Sequence, residues 1–540
     1  METTISLSQI GLYNPQRQSA EITEKLFVAR QKQFELLLKK IVQEKENSIP
    51  QHYLIIGQRG MGKTTLLKRM EVELHQPEYS RRFVPLVFPE EQYNVKDLVS
   101  FWFNCLDALA DSLELEDKEK YRAEISAIDK TIRQKTSEID SNDAYRHFMR
   151  ICRDLHRRPV LLIDNMALVF SRLDSSKKNK QEQWALRKIL CENGSPIIVG
   201  ANHKITDDVI NYAMPFYDFF QIQYLTKLRF EEFTELFENL AAQTQINSDT
   251  TFRMRKETPR LKTLHQFTGG NPRTAVMLFK LSVNGFSADI NDDLDALTDE
   301  MTPLYKSRFE ALPQQQQMII DAIAMNWHPI PLKELSASTH LENSQLSPQL
   351  KRLTDEGWIE TTPAYQAKGN AYFISERFFN TWLLIRRSNR RQKRGIHSLS
   401  KFLECMYREE RRIQNENLQK TLFELHQQNQ GIAKGHLLQA FEVLEKENQI
   451  STVANEYWWA EFGYAVIKSG YGSWLLAVLE EKDYDVLLSP YYTAIQAMVI
   501  EKQDRKNGEK QAETYLKNRA VEISEPAWII IEKMKSYFPG

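Results

Sequence analysis

The chain has 540 residues, more than one hydrophobic core usually organises, so it should divide into roughly two to four domains. Hydrophobic residues make up 42% and charged residues 26%, with 19 Gly and 19 Pro, which excludes low-complexity and collagen-like classes. A formal net charge of -1 excludes a whole-molecule field that would draw nucleic acid or anionic membrane, so any such binding needs a local patch.

Cys105, Cys152, Cys191 and Cys405 lie too far apart for a zinc site or a disulfide scaffold, which fits a reducing cytoplasm. Met1 to Asn14 lacks the basic and apolar regions of a signal peptide, and no run approaches the roughly 20 apolar residues of a membrane span. No contact with a membrane is expected.

Residues 25 to 40, after an extension over 1–24, carry Phe27, Leu36, Leu37 and Leu38 near helical spacing. Tyr53-Leu54-Ile55-Ile56 reads as a short buried strand, followed by Gly57-Gln58-Arg59-Gly60-Met61-Gly62-Lys63-Thr64 and an amphipathic helix to His75. Phe83 to Phe88 is a second strand, Val95 to Leu113 a helix, and Leu115 to Ser141 a charged helical stretch. Pro159 to Asp164 and Pro196 to Asn202 are further apolar strands separated by a helix over Gln181 to Cys191, and Asp218 to Ile222 is a weaker fifth. Buried strands alternating with helices predict a parallel, doubly wound α/β sheet over residues 25–228.

From Phe230 to Gly285 the pattern is helical, interrupted by Gly269-Gly270-Asn271-Pro272-Arg273, which predicts a helical lid over 229–300. Helices over Gln316 to Met325, Leu332 to Ser338 and Asn343 to Glu356, then strands at Gly357 to Glu360 and Ala371 to Ile374, read as a winged helix within 301–394. Residues 395–540 predict an all-α, solenoid-like domain with Trp458, Trp459, Trp474 and Trp528 as apolar anchors.

A triphosphate is best held by converging main-chain N–H groups, which needs a loop free of Cβ obstruction and a helix N-terminus facing the anion. Gly57, Gly60 and Gly62 meet that need, and Gln58, Arg59 and Met61 complete the loop. Lys63 reaches the β- and γ-phosphates as a point charge, Thr64 supplies a hydroxyl ligand for Mg²⁺, and Thr65 adds a hydroxyl near the α-phosphate. Asp164, at the carboxyl end of its strand, is the candidate metal carboxylate, although the same group can cap the next helix. Residue 165 is Asn, which positions a water without accepting its proton, so hydrolysis is expected to be slow or to use a base elsewhere. Asn202 is a sensor of the γ-phosphate or a buried loop cap. Arg273 reports the γ-phosphate from the lid or is a surface arginine at a helix start, where the dipole disfavours it.

Together these motifs resemble the STAND branch of AAA+-like P-loop ATPases, near the archaeal-type ATPases related to origin-recognition proteins, over roughly residues 25 to 385. Phe27-Val28-Ala29-Arg30 looks like that family's entry motif beside the adenine, with Ala29 where glycine is usual. Gly57 to Thr64 matches its Walker A, Leu162-Ile163-Asp164-Asn165 its Walker B, and Gly270-Asn271-Pro272 its lid signature, with Pro272 implied near the nucleotide and Arg273 at the sensor 2 position. The resemblance implies signal transduction, in which the ATP or ADP state sets whether lid and winged helix fold back on the core. It also implies a carboxy-terminal array that senses a protein partner, and a nucleotide-dependent oligomer is compatible with it.

The competing expectation is a DNA-associated ATPase. Helix Asn343 to Glu356 carries Lys351 and Arg352 against Glu342, Asp355 and Glu356, a poor groove reader. Arg386, Arg387, Arg390, Arg391, Lys393 and Arg394 form the strongest local cation run, taken either as a phosphate-contacting stretch or as a solvated helix end favoured by the C-terminal dipole. A scaffold with a fossil nucleotide site is the third expectation.

Overall fold

The computed structural model describes residues 18–88, 95–113, 119–121, 141–173, 180–244, 258–287, 289–387, 389–407, 416–446, 457–481, 483–504 and 506–536. Most of the helical stretch expected over 115–141, and the side chains of Arg390, Arg391, Cys405, Trp458 and Trp459, lie outside the described residues. The chain forms two compact units, Met1–Gln245 with Asn271–Val276, and Ile246–Gly270 with Met277–Gly540.

The first unit is built on strands β1 His52–Ile56, β2 Phe83–Phe88, β3 Arg158–Ile163, β4 Ile197–Asn202 and β5 Phe220–Tyr224. All pairings are parallel and the order is β2-β3-β4-β1-β5. Alternate side chains feed opposite faces. Leu54, Ile56, Leu161 and Ile163 pack with helices Leu98–Ser112, Ser141–Asp154, Met166–Leu173 and Gln181–Leu190. Tyr53, Ile55, Val160 and Leu162 pack with Gln31–Val42 and Lys63–Leu74. Cover on both faces is why β1, β3 and β4 read as unbroken apolar runs. Each fully buried Leu or Ile contributes about 1.5–3 kcal/mol.

Several element ends differ from the pattern reading for local reasons. The amino-terminal helix is two, Ala20–Leu26 and Gln31–Val42, with the break at Phe27–Arg30. The helix after β2 starts at Leu98 because Asp97 caps it: Ser100 N donates to Asp97 Oδ1 at 2.8 Å while Asp97 N donates to Ser100 Oγ at 3.0 Å. Met166–Leu173, too short to show a period, was not anticipated.

The second unit contains helices Thr258–Thr268, Ile290–Glu310, Gln314–Met325, Leu332–Thr339 and Asn343–Asp355. A three-stranded antiparallel sheet of β6 Ile330–Pro331, β7 Ile359–Pro363 and β8 Asn370–Ile374 accompanies them. Further helices run from Arg377–Arg387 to Val521–Ser536. A buried ion pair ties this sheet region to the last helix: Arg377 bonds both oxygens of Glu522, whose Oε1 also accepts from Trp327 Nε1 at 2.5 Å.

Two sequence expectations need correction here. Trp528 is no anchor, being 42% exposed. Helical spacing turns Ile523, Ala527, Ile530, Ile531 and Met534 inward and leaves Trp528 on the other face. The cation run does not close one helix either. Arg377–Arg387 ends there and Arg390–Met406 begins, capped by Asn389, whose Oδ1 accepts from Gln392 N at 2.9 Å while Gln392 Oε1 accepts from Asn389 N at 3.2 Å. Four of the six cations therefore occupy the start of a helix, where the dipole opposes them. No helix among the described residues is long and apolar enough to cross a membrane.

Candidate functional site

The loop after β1 emerges at the carboxyl ends of the strands, with β4 on one side of β1 and the edge strand β5 on the other, the side of an open α/β sheet on which ligands bind. Gly57 N donates to Asn202 O at 3.1 Å, extending the β1–β4 ladder into the loop. Gly60 and Gly62 have φ of +80° and +87°, conformations that side chains with a Cβ rarely adopt. Gly62 is the N-cap of Lys63–Leu74, so the helix amino terminus opens directly onto the loop. Met61 is buried in the core beneath it, and Thr65 is half-buried in the helix's first turn.

Lys63 is largely buried, and its Nζ donates to Gly57 O at 2.7 Å and Gln58 O at 3.0 Å and meets His203 Nδ1 at 3.2 Å. An ammonium curled over its own loop is a donor set ready to exchange carbonyls for phosphate oxygens. Thr64 Oγ1 donates to Asp164 Oδ2 at 2.6 Å, bringing together two residues one hundred positions apart at the head of the same helix. Hydroxyl and carboxylate oxygens are the donors a hard cation such as Mg²⁺ prefers, so this pair fits that ion.

Asp164 Oδ1 accepts from Asn165 N at 3.0 Å. Asn165 has φ +52°, in the left-handed region that Asn tolerates better than Glu. The turn geometry therefore favours a short side chain here and disfavours a longer one such as Glu. Asn202, 1% exposed, accepts from Ala167 N at 2.7 Å through Oδ1, which serves the loop-capping alternative. Its Nδ2 is buried without a hydrogen-bond partner, an orphan donor of the kind that marks a missing acceptor.

Arg30 is buried, with Nε donating to Met61 O at 3.3 Å and Nη2 to Thr226 O. Burial pulls its pKa below the ordinary arginine value, with the Glu232 carboxylate opposing. Its guanidinium thus braces the glycine loop against the segment after β5, a contact that no local run of residues announces. Pro272 is buried and Arg273 half-buried at the start of helix Pro272–Asn284.

Asn271, in sequence only one residue of a lid signature, touches the loop itself. Its Nδ2 donates to Arg59 O at 2.9 Å and its Oδ1 accepts from Arg273 N at 2.9 Å. A Cβ on Gly60 would meet the Asn271 amide at 2.5 Å. Its position two residues before Arg273, as an N-cap, was the available signal. His203 was missed because nothing in its neighbourhood marks it apart from following Asn202.

Residues 47–204 match the sequence profile of the AAA domain family. No curated protein sequence matches the chain. Among solved structures, the Walker-type ATPase of Pyrococcus abyssi is similar at 12% identity and a TM-score of 0.42, covering 66% of this chain and 95% of that one. The ORC2 protein of Aeropyrum pernix, in ADPNP–ADP complexes, is similar at 13% identity and 0.41, covering 67% and 95%. The ORC1 protein of the same organism, in complex with DNA, gives 11% identity and 0.38, covering 66% and 92%.

Proposed function

We propose, from the premise that residues 47–204 of this chain are an AAA domain of the P-loop class, that the protein is an ATP-binding conformational switch of STAND type with slow hydrolysis. The observation that carries this reading is the contact of Asn271 with Arg59 O, because the chain passes from Asn271–Val276 into the second unit at Met277. A phosphate that rearranges the loop carbonyls acts on the residue that begins that crossing.

The triphosphate would be held by the main-chain N–H groups of 57–64 and by Lys63. Thr64 and Asp164 would hold the Mg²⁺ that offsets its charge. Asn202 Nδ2 and Arg273 are the proposed γ-phosphate donors. Moving a switch from 99:1 to 1:99 takes about 5.5 kcal/mol of preferential binding. Hydrogen bonds to a charged phosphate contribute about 1.5–3 kcal/mol each, so two such donors are of the right size. Arg273→Ala is expected to keep ADP affinity and lose the preference for ATP in calorimetric titrations of both nucleotides. Unchanged preference would remove Arg273 from the sensor role.

A DNA-associated role through a winged helix within 301–394 and the cation run at 386–394 is the competing reading; Lys351 and Arg352 are exposed but share their helix region with the exposed Glu342, Asp355 and Glu356. Against it, Arg386 is paired with Asp299, and Arg387 with Asp321 at 2.8 Å, so carboxylates sit beside two cations of the run. A duplex titration at roughly 50 mM salt decides: absent binding there eliminates it.

A further inference from the structure

We propose that His203 is the proton acceptor for ATP hydrolysis at this site, an inference that rests on reading the glycine loop as a triphosphate cradle. The position after Asp164 offers none, since Asn165 carries an amide and its left-handed backbone disfavours a longer carboxylate. The proton acceptor in this proposal comes instead from another strand end, that of β4.

His203 follows Asn202 directly at the carboxyl end of β4 and is half-buried. Its Nδ1 lies 3.2 Å from Lys63 Nζ. An ammonium has three donors and no acceptor, so the contact fixes the tautomer: Nδ1 presents its lone pair and Nε2 carries the proton. That lone pair faces the atom assigned to the β- and γ-phosphates, which sets Nδ1 beside the reacting end of the nucleotide.

The free state also explains how the base stays covered. Lys63 is shared among Gly57 O, Gln58 O and His203 Nδ1. Phosphate oxygens compete for the same ammonium, and once they take it the Nδ1 lone pair becomes available to a water. Asn202 Nδ2, buried without a partner while Oδ1 is held by Ala167 N, is the neighbouring donor that orients that water or a γ-phosphate oxygen.

In the step itself the water oxygen bonds to the γ-phosphorus, and the bond from that phosphorus to the β,γ-bridging oxygen breaks. ADP leaves with the electron pair, the water proton passes to His203 Nδ1, and the imidazolium then releases a proton to solvent. No oxidant, reductant or further reactant is needed.

The test compares wild type, His203→Gln and His203→Ala, each titrated calorimetrically with ATP and ADP in Mg²⁺ and then followed through single-turnover hydrolysis. Gln keeps hydrogen bonding and lacks the basic nitrogen, so it separates proton acceptance from positioning. The expected result is nucleotide affinity within about threefold of wild type and hydrolysis lowered roughly 10²- to 10⁴-fold in both variants. A wild-type rate in His203→Gln overturns the proposal, as does loss of affinity that accounts for the whole loss of rate. Wild type that binds ATP without hydrolysing it sinks the base and spares the switch, whereas wild type that binds no nucleotide sinks the reading on which both depend.

Discussion

Gly60→Ala is the sharpest test of the loop's architecture, because two independent costs meet at one atom. The first is backbone: at φ +80° an L-residue is strained by roughly 1–2 kcal/mol. The second is collision, since the new Cβ would sit 2.5 Å from Asn271 Nδ2 and 2.6 Å from Asn271 Oδ1. A free amide would swing aside cheaply, but this one is pinned by Arg59 O and Arg273 N. Displacing it forfeits a hydrogen bond of about 1 kcal/mol and a helix cap of about 1 kcal/mol. Gly60→Ala is therefore expected to cost about 3.5 kcal/mol and Asn271→Ala about 2 kcal/mol. The double variant should cost no more than Gly60→Ala alone, because the amide that obstructs is gone, leaving a coupling of about 2 kcal/mol. Urea denaturation of the four proteins, followed by circular dichroism, measures the cycle. Additive costs, near 5.5 kcal/mol for the double variant, would refute the contact between loop and Asn271.

Two further outcomes follow from buried groups away from the loop. His52 is held neutral, Nδ1 accepting from Ile198 N at 3.2 Å and Nε2 bonding Leu190 O at 3.2 Å, and burial lowers its pKa to about 4. With a folded pKa below the unfolded value, the unfolded chain gains protons first as pH falls from about 6.5 toward 4, so stability is lost across that window. The loss between pH 7 and pH 5 should be about 2 kcal/mol, and His52→Gln should remove that share from the denaturation profile; an unchanged pH dependence would contradict the assignment. In the second unit, Glu522→Ala strands Arg377 and should cost about 3–5 kcal/mol, which a Glu522→Ala thermal scan showing no loss would disprove.

The sequence by itself determined the chemistry that one contiguous segment can carry. An apolar strand, three glycines, Lys63, Thr64 and an amphipathic helix dictate where main-chain N–H groups must converge, because spacing along one chain fixes their geometry. Strand runs closing on Asp164 and Asn202 were legible for the same reason: burial on both faces demands unbroken apolar residues. Met166–Leu173 was not, since a period needs more than about two turns to register, and neither was the start of helix Arg390–Met406, which the Asn389–Gln392 cap places inside a run of cations.

Only the tertiary structure decided which distant side chains complete the site. Asn271 reaches Arg59 across 212 positions, Arg30 reaches Thr226 across 196, and Lys63 meets His203 across 140. Hydrogen bonds of that span depend on the order β4-β1-β5, which sets β1 between the central strand and one edge of the sheet. That order is set by how helices cover the two faces, a property of the whole unit that no local run of residues contains.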